Sequence, residues 1–387
     1  MKNNKTVNLL IAIDSFKGSL DTMMARSAVG EAAKETFQNA KIDICPLADG
    51  GEGTMDAVIA SLGGEIYTER VTGPLGDAVS ARYGVVSAEK LAIIEMAEAA
   101  GLPLVPKDRR DPKITTTRGV GELILHAIKK HGCRRFLIGI GGSATNDGGS
   151  GMLKALGFEF LDKNGQGVPD GAIGLGMIET IVTEKVAREI CECEFMVACD
   201  VNNPLCGERG ASAVYGPQKG AGEADVKIMD GCLAHFADLT EKKLGNDFKN
   251  APGAGAAGGM GFAFLSYLSG KLRSGIELVI ETNHIEEKIK AADIVITGEG
   301  RLDSQSCMGK APVGIAKIAK KYGKICIAFS GCLGKEAEKC NDFGIDAFFP
   351  ILPTAMSLEE AMNTENAYKN LKNTAGQVFR LLRAIDK

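Results

Sequence analysis

VNLLIAIDSFKGSL (7–20) and, after one helical interval, IDICPLADGGEGT (42–54) carry the reading of the fold. Val7 to Ile13 is an apolar, β-branched run that predicts a strand, and it stops at the polar loop Asp14-Ser15-Phe16-Lys17-Gly18. Ser19 stands where a helix N-cap belongs, and Leu20, Met23, Met24, Ala28 and Ala32 follow at helical spacing. A second strand, Ile42 to Leu47, ends at Ala48-Asp49-Gly50-Gly51-Glu52-Gly53, and a helix from Thr54 to Leu62 comes next. The same order returns near the other end. Ile294 to Thr297 predicts a strand ending in Gly298-Glu299-Gly300-Arg301-Leu302-Asp303, followed by a helix over 310–321, a strand over 324–329 and a further strand over 346–351. Strand, polar loop, helix, repeated, is the pattern of a parallel α/β sheet.

The middle of the chain reads differently. Glu69 to Val86 has hairpin character around the turn Gly73-Pro74-Leu75-Gly76-Asp77. A helix ending at His131, a strand over 135–140, a glycine-rich passage and a strand over 195–199 ending at Asp200 come next, and PGAGAAGGMGFAF (252–264) leads into another helix. The expectation is two α/β domains: a parallel-sheet domain made from both chain ends, 1–70 and 284–387, and a second α/β domain, 71–283, inserted in it.

Composition narrows the functional classes. A chain of 387 residues with 45% apolar and 24% charged residues is that of an ordinary globular protein, long enough for two cores. A net charge of −4 and no basic block argue against nucleic acid as a partner. The apolar run at the N-terminus is too short for a signal peptide and no stretch approaches a membrane span, so no membrane is expected and a cytoplasmic location is. The eleven cysteines are scattered without a C-x-x-C pair, and they read as reduced thiols. His126 and His131 lie five apart, which does not match the i, i+4 pair of a helical zinc site. The sequence leaves the oligomeric state open, and a homo-oligomer is compatible with it.

Acidic residues and glycines recur where strands end: Asp14, Asp49, Asp200, and the pair Glu299 and Asp303. Singly, such residues cap helices or form turns. Together, at the sheet edge where open α/β sheets bind ligands, they point to an assembled site. Phosphoryl transfer needs this set, because Mg²⁺ takes carboxylate oxygens while glycine loops and helix N-termini receive phosphates. Three glycine loops qualify: Ser304 to Lys310 ahead of a helix marked by Pro312, Gly253 to Gly261, and GIGGSATNDGGSG (139–151).

Known nucleotide motifs are mostly absent. No Walker A sequence occurs, and Asp342-Phe343-Gly344 lacks the rest of the protein-kinase set. Gly139 to Ala144 matches the dinucleotide fingerprint after a strand, which supports an alternative reading as an NAD-dependent oxidoreductase of a small hydroxy acid. However, Thr145-Asn146-Asp147-Gly148-Gly149 breaks the helix that the fingerprint requires. A non-enzymatic hydroxy-acid sensor is a third reading, and the carboxylate-rich loops argue against it.

Taken together, AIDSFKGSL (12–20), PLADGGEGT (46–54), VTGPLG (71–76), GIGGSATNDGGSGML (139–153), CDVNNPLCG (199–207), YGPQKGA (215–221), PGAGAAGGMGF (252–262) and TGEGRLDSQSCMGKAP (297–312) resemble the bacterial type-1 glycerate kinase family over nearly the whole chain. The resemblance implies transfer of the γ-phosphate of ATP to D-glycerate with Mg²⁺, 2-phosphoglycerate as the usual product, and two α/β domains, one Rossmann-like and one inserted, with the active site in the cleft between them. Residue roles follow from side-chain chemistry alone. Lys17, Asp200 and Asp303 are the catalytic candidates, and Asp14, Asp49, Glu52 and Arg301 the substrate contacts. Asp200 and Glu299 are the metal ligands. Gly255, Gly258, Gly259, Ser304, Ser306, Gly309 and Lys310 are the ATP-binding positions.

Overall fold

The computed structural model describes residues 7–37, 39–47, 51–304, 306–308 and 310–385. The chain divides into two compact units, Met1–Asp49 with Val279–Lys387, and Gly50–Leu278. The division therefore falls elsewhere than at 70/71 and 283/284. Glu65–Thr72 pairs antiparallel with Ala78–Val86, and the helix Thr54–Leu62 packs on that strand, which takes 51–70 into the middle unit. Residues 279–283 go with the chain ends.

In the unit of the chain ends, five described strands form one parallel sheet, ordered Ala347–Pro350, Ile325–Leu333, Ile294–Leu302, Asn8–Ile11, Lys41–Ile44. Numbered along the chain within this unit, the order is 2-1-3-4-5, a doubly wound sheet of the flavodoxin type whose direction reverses between Asn8–Ile11 and Ile294–Leu302. Side chains alternate across it, as strand geometry dictates. Leu9, Ile11, Ile294, Ile296, Ile327 and Phe329 join the core beneath the helices Thr22–Thr36 and Thr364–Ile385, which supply Ala25, Ala28, Val29, Leu371, Ala375 and Phe379. Leu10, Val295, Cys326 and Ala328 are equally buried on the alternate positions. The helices Ile285–Ala291 and Ala311–Lys321 also pack on the sheet.

Two local expectations are corrected. The strand expected to stop at Thr297 continues through Gly298-Glu299-Gly300-Arg301 to Leu302, paired with Ile325–Leu333 to its last residue. Glycine makes that pairing possible: a Cβ on Gly331 would lie 2.5 Å from the Gly300 carbonyl oxygen. Ser19 does not cap the first helix. Phe16 and Leu20 close the preceding loop as a bridge, Ser19 Oγ donates to the Phe16 carbonyl, and Asp21 accepts the Met24 N–H at 2.7 Å.

The middle unit holds a six-stranded mixed sheet, ordered Lys271–Arg273, Glu194–Ala198, Arg135–Gly139, Leu91–Glu95, Ala78–Val86, Glu65–Thr72; the first four run parallel and the last two form the expected hairpin. Ile94, Phe136, Ile138, Phe195 and Val197 face a large core with Phe236, Phe262 and Phe264. Ile93, Leu137 and Met196 alternate onto a smaller one with Met55, Val58 and Leu278. No helix among the described residues is long and apolar enough to cross a membrane.

Candidate active site

The reversal of winding leaves a crevice beyond the carboxyl ends of Asn8–Ile11 and Ile294–Leu302. The residues gathered there come from two segments, 14–17 and 298–310. Asp14 follows the first strand, its N–H bonded to the Gly298 carbonyl at 3.0 Å and its carboxylate accepting the Ser15 N–H at 2.6 Å. The backbone of Phe16 and Lys17 lies against Gly300, where an added Cβ would be 3.3 Å from Lys17 N. Glu299 accepts a 2.5 Å hydrogen bond from Ser306 Oγ, which in turn accepts the Asp303 N–H at 3.2 Å. Arg301 Nε lies 3.1 Å from Asp303.

The electrostatics of this cluster centre on Glu299, inside the strand Ile294–Leu302. Burial, and then the charges of Asp14 and Asp303, push the Glu299 carboxyl above its ordinary range, against the Ser306 hydroxyl and the Lys310 ammonium. A divalent cation would relieve that repulsion. Mg²⁺ is bound through one or two carboxylates plus phosphate and water rather than in an all-protein cage. The absence of a three-ligand group among the described residues is compatible with that mode. Glu299 and Asp303 therefore fit a metal-bound phosphate. The helix Ala311–Lys321 begins directly after Lys310, with Pro312 in its first turn and no side chain capping it. A helix start of this kind is a favourable place for an anion.

The structure thus brings together Asp14, Lys17, Glu299, Arg301, Asp303, Ser304, Ser306 and Lys310, all in the unit of the chain ends. Asp49 and Gly309 lie outside the described residues. Asp200, Glu52, Gly255, Gly258 and Gly259 belong to the other unit. Asp200 follows Glu194–Ala198 and accepts the Gly275 N–H at 3.1 Å. Glu52 is exposed ahead of the helix Thr54–Leu62. The three glycines are buried by packing. A Cβ on Gly255 would fall 2.2 Å from the Pro204 carbonyl oxygen, and one on Gly258, at φ +69°, 2.1 Å from that of Thr145; Gly259 abuts Gly148. Close backbone approach accounts for this loop without a ligand.

In the middle unit, sequence reasoning missed several buried ionisable groups. Glu95 ends the strand Leu91–Glu95 and accepts the Met55 N–H at 2.8 Å at the start of the next helix in space; burial pushes it up to about 7. The run LAIIE ending in an acid was the available signal. Asp147, fully buried, accepts from Thr117 N and Oγ1 at 2.9 and 2.8 Å and from Gly149 N and Gly151 N at 3.1 and 3.2 Å. Its acid range is still raised by desolvation. Lys219 donates to Ser143 Oγ at 2.7 Å and to the Thr145 carbonyl at 2.6 Å, and burial pulls it down to about 7. These groups fix the loop after Arg135–Gly139. No helix begins within Gly139 to Ala144; the next described one is Ser150–Ala155. The dinucleotide fingerprint is therefore not formed as a strand-turn-helix.

Comparison with known proteins converges on one family. The sequence profile of the glycerate kinase family matches residues 9–383. The glycerate kinase of Halalkalibacterium halodurans is 46% identical over 354 residues, 92% of this chain and 93% of that protein. The glycerate 2-kinase of Escherichia coli K12 is 46% identical over 365 residues, 94% and 95% of the two chains. A crystal structure of a protein assigned as glycerate kinase 2 in Salmonella typhimurium LT2 superposes with a TM-score of 0.90 at 43% identity, covering 98% of this chain and 99% of that one.

Proposed function

We propose, from the premise that this chain belongs to the glycerate kinase family and is a phosphotransferase acting on an alcohol, that it transfers the γ-phosphoryl group of ATP to a hydroxyl of D-glycerate, giving 2-phosphoglycerate. The observation that carries this reading is the cluster of Glu299, Asp303, Ser306 and Lys310 beside the start of the helix Ala311–Lys321 at the sheet reversal. A kinase needs metal-holding carboxylates beside N–H groups for phosphate, whereas an NAD enzyme seats its pyrophosphate on a helix N-terminus without a metal.

The roles follow. Bound Mg²⁺ supplies charge neutralisation on the triphosphate, and Glu299 and Asp303 are the residues to hold it. Lys310 and the start of Ala311–Lys321 take phosphate oxygens, with Ser304 and Ser306 shaping the loop. Lys17 supplies a further cation for the reacting anions. Asp14 and Arg301 set the charge around Asp303. Asp200, in the middle unit, is the proposed base for the attacking hydroxyl, with Glu52 and Asp49 as substrate contacts. The reading places the enzyme in the cytoplasm, where its phosphoryl donor is made.

The test is phosphorus and proton NMR of the product from ATP, Mg²⁺ and D-glycerate. A phosphate on the 2-hydroxyl supports the proposal, one on the 3-hydroxyl overturns the regiochemistry, and no product overturns the activity. Asp200→Asn should abolish turnover with little change in the thermal midpoint; substantial activity in that variant would remove Asp200 from the mechanism.

A further inference from the structure

Arg110 carries no hydrogen bond or ion pair among the described residues, and its Nε is shielded from water without an acceptor. A guanidinium donor hidden from solvent without an acceptor is costly. The acid next to it in sequence, Asp111, is engaged with Lys113. Lys113 takes Asp225 at 2.8 Å and approaches Asp111 at 3.8 Å, while the Lys113 N–H occupies Asp111 Oδ1. The backbone of Arg110 also packs directly on Gly220: a Cβ there would lie 2.3 Å from the Arg110 carbonyl oxygen and 2.9 Å from Arg110 Cβ. Gly220 adjoins Lys219, the buried cation that reaches Ser143 and Thr145 beyond the strand Arg135–Gly139.

The surroundings of that lysine are also short of partners. Thr145 Oγ1 and Asn146 Oδ1 are buried without a hydrogen bond, although Asn146 Nδ2 donates to Ser212 Oγ at 2.9 Å. Asp147, the charged neighbour of Lys219, is already committed to four hydrogen bonds from Thr117, Gly149 and Gly151. The middle unit therefore places an unpaired arginine and a buried lysine on adjoining backbone, at the carboxyl side of its sheet, with no protein carboxylate bound to either.

We propose that Arg110, whose backbone packs on Gly220 beside Lys219, forms an oxyanion-binding site in the middle unit that takes a carboxylate or phosphate group of the kinase's reactants. The planar fork of arginine suits both groups. The identity of the ligand rests on the glycerate kinase reading; the existence of an oxyanion site does not.

The experiment compares the full chain with Arg110→Gln and Arg110→Lys by calorimetric titration, using D-glycerate, Mg²⁺-free ATP and tripolyphosphate as separate probes. Arg110→Gln should weaken at least one probe roughly ten- to hundredfold, with partial recovery in Arg110→Lys. Loss confined to D-glycerate identifies the substrate carboxylate, and loss confined to ATP and tripolyphosphate identifies the donor phosphates; either supports the site. Unchanged affinity for all three overturns it, including the case where Arg110→Gln only lowers the unliganded melting point. Arg110→Lys carries the same comparison if the glutamine variant does not fold. A wild-type chain that forms no phosphoglycerate yet loses tripolyphosphate binding on Arg110→Gln would overturn the kinase reading and leave the oxyanion site standing.

Discussion

The two units both carry acidic residues where their strands end, and they use them in opposite ways. At the edge of the chain-end sheet, burial above all, with smaller contributions from the charges of Asp14 and Asp303, raises the proton affinity of Glu299, which accepts from the Ser306 hydroxyl. In the middle unit, Asp147 and Glu95 are buried more deeply, yet donors fill them: three backbone N–H groups and the Thr117 hydroxyl on Asp147, and on Glu95 the start of Thr54–Leu62. A carboxylate that accepts from a hydroxyl alone keeps lone pairs for a cation. Carboxylates saturated by N–H donors hold loops and helix ends in place. The difference separates chemistry from scaffolding, although the residue types are the same.

The sharpest way to break this comparison is to remove one carboxylate from each side. Asp147→Ala should cost more than about 3 kcal/mol in urea unfolding, because it leaves three backbone N–H groups and a threonine hydroxyl buried without an acceptor. Glu299→Gln should leave the midpoint unchanged or slightly higher while turnover falls by roughly two orders of magnitude or more. If Glu299→Gln unfolds the protein, or Asp147→Ala spares stability, the assignment of the two clusters is reversed.

A second measurement follows stability against pH in the middle unit. Glu95 titrates at about 7 when folded and near its ordinary 4.5 when unfolded, so its contribution is present below about 4.5 and is lost as pH rises toward 7. Lys219 has the opposite sign. Its folded value of about 7 lies below the ordinary 10.5, so its contribution is present above about 10.5 and is lost as pH falls toward 7. Together they predict a stability minimum near neutrality, each arm integrating to roughly 3–5 kcal/mol. Denaturant melts across pH 5 to 10 should show the acid arm flatten in Glu95→Gln and the alkaline arm flatten in Lys219→Met.

The smallest effects come from glycines, and again differ in sign. Gly258→Ala, at φ +69° with the Thr145 carbonyl in the way, should destabilise by about 1–3 kcal/mol. Gly376→Ala, inside the helix Thr364–Ile385 with open space around it, should stabilise by about 0.5–1 kcal/mol. Thermal scans of the two variants decide both.

Much of the fold was legible because strand ends and helix periods are local signals. The parallel strands after Val7 and Lys41, their return after Ile294 and the hairpin around Gly73 to Asp77 all have counterparts in the structure, whereas the helix Thr54–Leu62 forms as expected but packs on the other unit's sheet. Gly298 to Leu302 was not legible as strand, since glycine and charge mark loops in sequence, and only the facing Gly331 shows why that backbone stays paired. The loop at Gly253 to Gly261 resembled a phosphate cradle because its packing partners, Thr145, Gly148 and Pro204, are distant in sequence. The cluster at Glu299, Asp303, Ser306 and Lys310 was visible, being contiguous. Arg110 carried no signal at all: that its Nε is buried without an acceptor depends on packing against segments distant in sequence, such as Gly220.

The chain-end sheet has a further consequence, for biosynthesis. Leu9 pairs with Ile294, and the strands on its far side come later still. At about 5–20 residues per second, a ribosome needs on the order of 10–60 seconds between making those two partners. Through that interval the apolar strands Asn8–Ile11 and Lys41–Ile44 have no third strand to join, while the intervening unit can complete its own core. Nascent chains arrested shortly before Ile294 should therefore present a protease-resistant middle and a cleavable amino-terminal segment, an arrangement under which early capture by a holdase chaperone would have most to protect.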